Sequence, residues 1–359
     1  MSIEALRREL ETLDDDILRR VAERQRIARR IEEVKALDGL PIRDFARERQ
    51  VLERGLAIAE EVGLDATLAR EILARLIRSS LTVQERHRVA SASRGEGRTA
   101  LVIGGAGRMG AWFVRFLAAQ GYRVRVADPA GPLPGAAHWQ DWRDAPTSHD
   151  LTVVAAPLRA SREILEELAE RPPAGVVLEL GSVKAPLADP LTRLAGRGVD
   201  VASIHPLFGP DTDLLSGRHV ALIDLGRPRA TGAARALFAS TMATLVEMTL
   251  EEHDRLMAWV LGLSHALNLV FARALRASGV PVADLDRLAS PTFDAQLSVA
   301  RRVLTENPHL YFEIQHLNPH GGQALAALAE AAETLRSLIG EGNERRFIAW
   351  MKHCRRDIG

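Results

Sequence analysis

The sequence has little of several residue types, and each scarcity narrows the possible functions. Cys354 is the only cysteine among 359 residues, so the sequence predicts no intrachain disulfide and no cysteine metal cluster. Its apolar runs look too short for a membrane span, and the charged helix after Met1 is unlike a signal peptide. Lys plus Arg equals Asp plus Glu at 47 each, which gives no sign of nucleic-acid or membrane-surface binding. These features favour a cytoplasmic enzyme.

Residues 1–90 are predicted to be helical. They contain one proline and three glycines, and their apolar residues recur at helical spacing. The first helix should span about 35 residues and end at Gly39 and Pro41. A second is predicted over residues 44–62, and a third from the capping residue Asp65 to about His87. A helix as long as the first needs a partner along its length.

The pattern changes after residue 90. Residues 91–98 are small, charged and glycine-rich, which predicts a flexible linker. Short β-branched runs then alternate with helical stretches, and this alternation predicts a parallel, doubly wound sheet. The predicted strands cover 100–104, 122–128, 151–157, 176–181, 199–205, 220–225 and 244–249. From about residue 250 onward the chain is predicted to be helical again.

A glycine motif stands directly after the first predicted strand. Gly105, Gly107 and Gly110 follow the pattern G-x-G-x-x-G, in which the glycines permit a tight turn, close approach to a pyrophosphate and helix–strand packing. The pyrophosphate would lie at the N-terminus of the next helix. Asp128 ends the second strand about 20 residues later, where a carboxylate binds the ribose hydroxyls and repels a 2′-phosphate. We therefore expect NAD rather than NADP, although Arg125 is nearby.

Two further runs stand at the ends of predicted strands, where sheets of this kind bind ligands. One, residues 179–184, carries Ser182, and the other, residues 203–211, carries His205. A histidine in this position can accept a hydroxyl proton while hydride leaves the same carbon. A single histidine is more often structural, but the Pro- and Gly-rich loop after His205 and the second loop with Ser182 favour catalysis.

Residues 99–359 resemble the prephenate dehydrogenases. The resemblance is carried by the order G-G-x-G-x-M-G, G-S-V-K, H-P-x-F-G-P-D and Glu252-His253-Asp254. It implies NAD-dependent oxidative decarboxylation of prephenate to 4-hydroxyphenylpyruvate, with His205 accepting the ring-hydroxyl proton and Ser182 helping to orient it. The residues that it assigns to the cofactor are Gly105, Gly107, Arg108, Met109, Gly110 and Asp128.

The same resemblance assigns residues to the substrate. Matching residues 288–311 to the family places its substrate-binding arginine at Arg302, although the neighbouring Arg301 is an alternative. His265 matches a family histidine near the substrate side chain; a structural histidine between helices is the competing interpretation. Some relatives carry another arginine where this chain has Asp294. Feedback inhibition by tyrosine, with His265 as a contact, is a further implication.

The predicted front helices carry polar residues on matching faces. Arg24 and Lys35 are eleven residues apart, about three turns, and lie on one face of the first helix. Residues 44, 47 and 48 share a face of the second helix, and residues 80 and 84 share one on the third. Three helices could thus direct cationic and hydrogen-bonding groups into one pocket. The alternative is a helical dimerisation arm with solvated charges.

These helices resemble the all-helical chorismate mutases, which rearrange chorismate to prephenate. The resemblance implies that Arg7, Arg24 and Arg47 grip the two carboxylates of chorismate. Lys35 and Gln84 would stabilise charge on the ether oxygen as its bond breaks. Glu48 would hold the ring hydroxyl, and Asp44 and Ser80 would line the pocket. Holding the chair-like conformer contributes by orientation.

The distance between two of these arginines predicts a dimer. Arg7 and Arg24 are 17 residues apart on one helix, which is roughly 25 Å at 1.5 Å per residue. They cannot grip the same small molecule, so Arg7 must serve a site built mainly by a second chain. We therefore expect an intertwined homodimer with antiparallel long helices, as in the mutase family.

Together the two resemblances predict a bifunctional enzyme of tyrosine biosynthesis in which one half makes prephenate and the other consumes it. The expected architecture is an all-α mutase domain (1–90), a linker (91–98), a Rossmann-type NAD-binding domain (99–249) and an all-α domain for dimerisation and prephenate binding (250–359). Three alternatives are an arogenate dehydrogenase, a purely structural helical arm and a Rossmann domain that only senses NAD.

Overall fold

The computed structural model describes residues 2–358, and the side chains of residues 2–356. The chain forms two compact units. The first runs through residue 156 and includes Glu166–Leu180 and Arg193–Glu247. The second comprises Pro157–Leu165, Gly181–Thr192 and the chain from Met248 onward. The first unit thus contains both the front helices and most of the sheet domain.

The three front helices are present, and Asp65 caps the third as predicted. They are α1 (Ile3–Leu37), α2 (Phe45–Glu61) and α3 (Ala66–Ser91). The side chains of Asp44 and Asp65 each accept a bond from a main-chain N–H three residues later, at 2.9 Å, and so cap α2 and α3. Both α1 and α2 pack against α3. Helix α3 extends four residues beyond the expected end at His87, because the apolar side of its last turn is buried through Val89.

The expected flexible linker is wrong, because the segment after α3 is tied to the sheet domain. Gly95 N–H donates to the carbonyl oxygen of Gln120 (2.8 Å), and Arg123 N–H donates to that of Arg98 (3.0 Å). A Cβ on Gly95 would lie 2.1 Å from a ring carbon of Tyr122. The small residues therefore allow close packing here rather than free motion.

The sheet has eight strands in the order β3-β2-β1-β4-β5-β6-β7-β8. The strands are β1 (Thr99–Ile103), β2 (Arg123–Ala127), β3 (Ala137–Trp139), β4 (Leu151–Val154), β5 (Val176–Glu179), β6 (Val201–Pro206), β7 (His219–Ile223) and β8 (Thr244–Met248). All seven predicted strands form, and only the three-residue β3 was not expected. The pairs from β3 to β6 are parallel, as predicted.

The expectation of a wholly parallel sheet is wrong at one edge. Strand β7 is antiparallel to β6, with His205 opposite Ala221. The connection between these strands contains no α-helix or strand, and a parallel pair requires a crossover of a dozen or more residues that is usually helical. The segment after His205 therefore turns back beside its own strand.

Helices α4 (Arg108–Ala119) and α7 (Pro228–Phe238) pack on the sheet. Helix α5 (Leu158–Glu170) lies between β4 and β5 in the sequence, and α6 (Ala188–Gly196) between β5 and β6. Few residues of the chain are aromatic, at 4%, but several of them meet here. Trp112 stacks on Phe116 with ring centroids 4.7 Å apart, and Phe116 stacks on Phe238 at 5.3 Å. This cluster fixes α4, and with it the glycine turn at its start.

The second unit is mostly helical. Its helices after the sheet are α8 (Leu250–Met257), α9 (Ser264–Ala277), α10 (Val282–Asp286), α11 (Pro291–Thr305), α12 (Pro308–Leu317), α13 (Gly321–Gly340) and α14 (Glu344–Ile358). A π-helical turn, Ala258–Leu263, joins α8 to α9. The resulting helix, Leu250–Ala277, is long and apolar enough to cross a membrane by length and composition alone, which corrects the sequence expectation. Trp259, Val260 and Val270 are among its exposed apolar residues.

Candidate active sites

The glycine motif forms a turn between β1 and α4. A Cβ on Gly110 would lie 2.0 Å from the carbonyl oxygen of Gly104, so the helix can approach the strand only if this residue is glycine. A Cβ on Gly105 would lie 2.7 Å from Val126. The α4 N-cap is Gly107, which has no side chain to accept from the first helical N–H groups. The N-terminus of α4 therefore offers main-chain N–H donors and the positive end of the helix dipole to an anion.

Asp128 follows β2 and lies against this turn, as predicted. Its Oδ2 accepts from Ala106 N–H at 2.9 Å, and its Oδ1 accepts from Ala130 N–H at 2.8 Å. The buried carboxylate thus fixes the turn, and each oxygen retains acceptor capacity for a ribose hydroxyl. Arg125 lies over the Trp139 ring, 5.8 Å from its centroid. The glycine cradle, the uncapped helix end and the acid fit NAD.

His205 lies near the end of β6 and is 6% exposed. Two residues before it, the hydroxyl of Ser203 donates a hydrogen bond to Oε2 of Glu179 at 2.6 Å, and both side chains are fully buried. This bond ties β6 to β5 beneath the end of the sheet. Arg108 of the turn forms an ion pair with Asp211, 3.0 Å long, in the segment that follows His205. Met109 packs against the sheet core.

In the second unit, Ser182 lies half-buried in a loop that a carboxylate holds. Asp254, in α8, accepts from the N–H groups of Lys184 (2.8 Å) and Ala185 (2.6 Å). His253 Nδ1 lies 2.8 Å from the same carboxylate, and Asn318 donates to the carbonyl oxygen of Asp254 at 2.7 Å. The sequence alone did not assign this role to the motif Glu252-His253-Asp254. Its function in the fold is to position the Ser182 loop.

His265 and Tyr311 stack on each other in the same unit, with ring centroids 4.2 Å apart. Burial lowers the pKa of His265, which favours the neutral imidazole at pH 7. Among the described residues, its Nδ1 is buried without a hydrogen-bond partner. Burial and the charge of Glu306 raise the pKa of Tyr311.

The structure separates the two neighbouring arginines of α11. Arg301 pairs with Asp286 at 3.0 Å, whereas Arg302 is exposed and forms no ion pair among the described residues. Asp294 lies in the first turn of α11, whose N-cap is Ser290, where a carboxylate interacts favourably with the helix dipole. This geometry favours Arg302 as the arginine available to a ligand and gives Asp294 a structural role.

The front helices bring several predicted mutase residues together. Arg24 of α1 donates to the Ser80 hydroxyl of α3 and, at 2.6 Å, to the carbonyl oxygen of Leu76. Burial lowers the pKa of Arg24. One turn after Ser80, Gln84 is 7% exposed, and its amide oxygen has no partner among the described residues. The buried Ser80 and Gln84 and the half-buried Arg24 thus lie together in the predicted pocket.

The remaining mutase candidates lie on the connection between α1 and α2 and on α2 itself. Lys35 donates to the carbonyl oxygen of Ile42 at 2.6 Å. Glu48 forms a two-pronged pair with Arg43, at 2.8 and 2.9 Å. Arg47 is exposed and donates to Gln50, while Asp44 serves as the N-cap of α2. Asp44 was expected only as a pocket residue, so its capping role was missed.

The first half of α1 stands apart from these contacts. Of residues 2–20 only Ala5 is even half-buried, and Arg7 is exposed. An apolar stripe along this part of α1 is also exposed, by 46–60%, and consists of Ile3, Leu6, Leu10, Leu13 and Ile17. Arg7 therefore joins none of the mutase candidates within one chain.

A cavity of about 350 Å³ lies between α3, α4 and the segment after His205. Trp112 and Phe116 form part of its apolar lining, and Glu85, Arg86 and Arg115 contribute charged groups. None of the predicted site residues lines it. The cavity is therefore distinct from the candidate sites above.

Comparison with known proteins matches three parts of the chain to family models. Residues 6–85 match the model of chorismate mutase type II, residues 137–246 that of the prephenate dehydrogenase nucleotide-binding domain, and residues 249–353 that of the prephenate dehydrogenase dimerization domain. The glycine turn and Asp128 precede the second match, so their assignment depends on the geometry above.

Individual relatives extend the match. A T-protein of Enterobacter agglomerans is 27% identical over 96% of this chain and 90% of its own length. The 4-amino-4-deoxyprephenate dehydrogenase of Streptomyces pristinaespiralis is 31% identical over 72% of this chain and 90% of its own. A crystal structure of prephenate dehydrogenase from A. aeolicus, with hydroxyphenyl propionate and NAD+, has a TM-score of 0.59 at 20% identity, covering 73% of this chain and 98% of that one.

The fold and the glycine turn define an NAD-dependent dehydrogenase with a helical domain in front. The chain belongs to the prephenate dehydrogenase family and carries a chorismate mutase of type II at its N-terminal side. It is a bifunctional enzyme of tyrosine biosynthesis, with both chorismate mutase and prephenate dehydrogenase activity.

Proposed function

We propose that Arg24, Lys35, Arg47, Glu48, Ser80 and Gln84 form the mutase site of one chain. The observation that carries this proposal is the buried group on α1 and α3, in which Arg24 contacts Ser80 one turn from Gln84. Arg24 and Arg47 bind carboxylates of chorismate, Lys35 and Gln84 stabilise charge at the ether oxygen, and Glu48 holds the ring hydroxyl. Asp44 and Ser80 line the pocket. The rearrangement needs no covalent step, so orientation and electrostatics carry it.

For the dehydrogenase we propose that His205 accepts the proton of the ring hydroxyl. NAD, when bound, would supply the acceptor for the hydride that leaves the same ring carbon. The carbon–carboxylate bond then breaks, its electron pair enters the ring, and CO2 leaves as the ring becomes aromatic. Gly105, Gly107, Gly110 and Asp128 bind the cofactor, with Arg108 and Met109 at the start of α4. Ser182 assists orientation, Arg302 binds a carboxylate, and His265 contacts the substrate side chain, where tyrosine would also bind as inhibitor.

We propose that two chains form an intertwined homodimer and that Arg7 completes the partner's mutase site. The exposed apolar stripe of α1, defined above by Ile3 to Ile17, supports this arrangement, because such a stripe is normally covered. The exposed apolar face of Leu250–Ala277 lies within the region matching a dimerization domain and is consistent with a second contact. We further propose a cytoplasmic location.

Subunit complementation tests the dimer and the role of Arg7 together. Arg7→Ala and Arg24→Ala chains should each lack mutase activity. When they are mixed with exchange of subunits, half of the dimers are mixed, and each mixed dimer has one intact site. About a quarter of wild-type mutase activity should return. An active monomer in sedimentation, or no recovery despite exchange, would contradict the proposal.

The coupled assay tests the function as a whole. Chorismate and NAD are supplied, and NADH formation is followed. Arg24→Ala should abolish NADH formation from chorismate but not from prephenate, whereas a purely structural arm would leave both unchanged. His205→Asn should abolish hydride transfer and retain NAD binding. Comparing turnover of prephenate and arogenate with NAD and NADP then decides the substrate preference.

A further inference from the structure

Residues 207–218, which connect β6 to β7 directly after His205 and Pro206, are held from two sides. We call them the 207–218 segment. On the NAD-binding side, Arg108 pairs with Asp211, and the indole N–H of Trp112 donates to the carbonyl oxygen of Thr212 at 3.0 Å. The segment is therefore connected to the start of the helix that follows the glycine turn.

The other end of the segment is held by the mutase helices through polar contacts. Arg43 donates to the Ser216 hydroxyl at 2.8 Å. The same guanidinium makes the two-pronged pair with Glu48, which we assign to the ring hydroxyl of chorismate. Ser216 of the NAD-binding domain is thus connected to the mutase residue Glu48 through a single side chain, that of Arg43.

Apolar packing reinforces this connection. Leu214 is buried together with Ile42 and Leu81, and Met242 packs against them. The carbonyl oxygen of Ile42 accepts the hydrogen bond from Lys35, another mutase residue. The position of Lys35 therefore depends on a small apolar cluster that includes the 207–218 segment.

The central contact is made by Glu85, which follows Gln84 on α3. Its carboxylate is buried and accepts from Leu215 N–H at 2.8 Å and from Met242 N–H at 2.6 Å. Each oxygen is thus used by a main-chain donor of the sheet domain. A buried carboxylate is costly unless its oxygens are satisfied, and these two bonds fix the segment to one turn of α3.

We propose that the 207–218 segment is a structural part of both active sites, and that Glu85 is the positioning residue that connects them. The proposal rests on the roles assigned above to Gln84 and His205. If Glu85 loses one acceptor, the turn of α3 with Gln84 and the chain after His205 both lose a fixed point. A substitution on either side should then change the chemistry on the other.

Glu85→Gln is the direct test, because it keeps the size of the side chain and replaces one acceptor by a donor. The new NH2 group would face a main-chain N–H. We expect kcat to fall about tenfold in both reactions, each assayed with its own substrate, with both KM values nearly unchanged. Glu71→Gln, an exposed site on the same helix, is the matched control and should leave both reactions unchanged.

Hydrogen exchange supplies a readout that does not depend on activity. In the wild type, the amides of Leu215 and Met242 are protected by their bonds to Glu85. Peptides that cover these two amides should exchange faster in Glu85→Gln and not in Glu71→Gln. Equal exchange in both variants would overturn the assigned contact.

Ser216→Ala tests the connection from the opposite side and is small enough to fold. It removes the hydroxyl that holds Arg43 and should raise the mutase KM for chorismate a few-fold. Unchanged mutase kinetics in Ser216→Ala, or a dehydrogenase kcat in Glu85→Gln within about twofold of wild type, would overturn the proposal. A wild-type protein lacking either activity would instead contradict the proposed function itself.

Discussion

The two active sites of this chain are built from different parts of the polypeptide. At the NAD-binding turn the main chain forms the site, and its glycines keep Cβ atoms out of the space that helix and strand need. At the proposed mutase site, side chains on three helices form the pocket, and the backbone only carries them. The first kind of site is sensitive to the shape of the chain, the second to charge and hydrogen bonding.

Gly110→Ala should have the largest effect, and it should impair the NAD-binding site but not the mutase site. The added Cβ would lie 2.0 Å from the Gly104 carbonyl oxygen, so α4 must move away from β1. We expect NAD affinity and dehydrogenase kcat/KM to fall by more than about 100-fold while the mutase survives. NAD titration followed by fluorescence measures the loss.

Gly232→Ala is the matched control for this variant. Gly232 lies within α7, and a Cβ there meets nothing within 4 Å. Alanine in a helix is favoured over glycine by about 1 kcal/mol. The control should therefore bind NAD normally and be no less stable than wild type. Normal NAD binding by Gly110→Ala would show that the turn does not need its glycine.

Arg24→Ala should give the next largest effect, on the mutase side alone. It removes a guanidinium that contacts Ser80 and Leu76, and with it a charge-assisted bond to a substrate carboxylate. A loss of about 100-fold in mutase kcat/KM is expected. Prephenate oxidation and the melting temperature should change little. Arg26→Ala, an exposed position on the same helix, is the control; an equal loss there would point to net charge instead.

The difference between the two sites also explains what the sequence could predict. Glycine spacing and the capping residue Asp65 are local signals, and they correctly predicted the turn and the start of α3. A carboxylate that binds main-chain N–H groups far away in the sequence gives no such local signal. Glu85 bonds to amides 130 and 157 positions away, and those amides carry no side-chain signature.

The errors in the predicted fold have the same origin. Strand β7 is largely buried, as β5 and β6 are, so its sequence does not encode its direction; the helix-free 207–218 segment decides it. Residues 92–98 are small and charged like a flexible linker, but their main-chain groups bond to the sheet domain through Gly95 and Arg98. Composition predicts the flexibility of an isolated segment, but it does not predict whether neighbouring parts of the fold form hydrogen bonds with that segment.

Asp254→Asn should have a moderate effect, and it tests a carboxylate of the second unit that binds main-chain N–H groups. Its carboxylate holds two main-chain N–H groups of the Ser182 loop, which is the same device that Glu85 uses. The single amide oxygen of asparagine can accept a good hydrogen bond from only one of these two N–H groups. The dehydrogenase kcat should therefore fall about tenfold, with the mutase unchanged. Glu251→Gln, exposed on the same helix, should leave both steady-state rates as they are; a normal dehydrogenase rate in Asp254→Asn would contradict the positioning role.

The smallest predicted effect concerns pH. Burial lowers the pKa of His265, so the folded protein binds fewer protons at this site than the unfolded chain does. The neutral ring therefore contributes stability that is present above the unfolded pKa near 6.5 and is lost as the pH falls towards the lower folded value. His265→Phe keeps an aromatic ring beside Tyr311 and cannot be protonated. Melting temperatures from pH 7.5 down to 5 should fall less steeply in the variant than in wild type, and parallel curves would show that His265 titrates as it does in an unfolded chain.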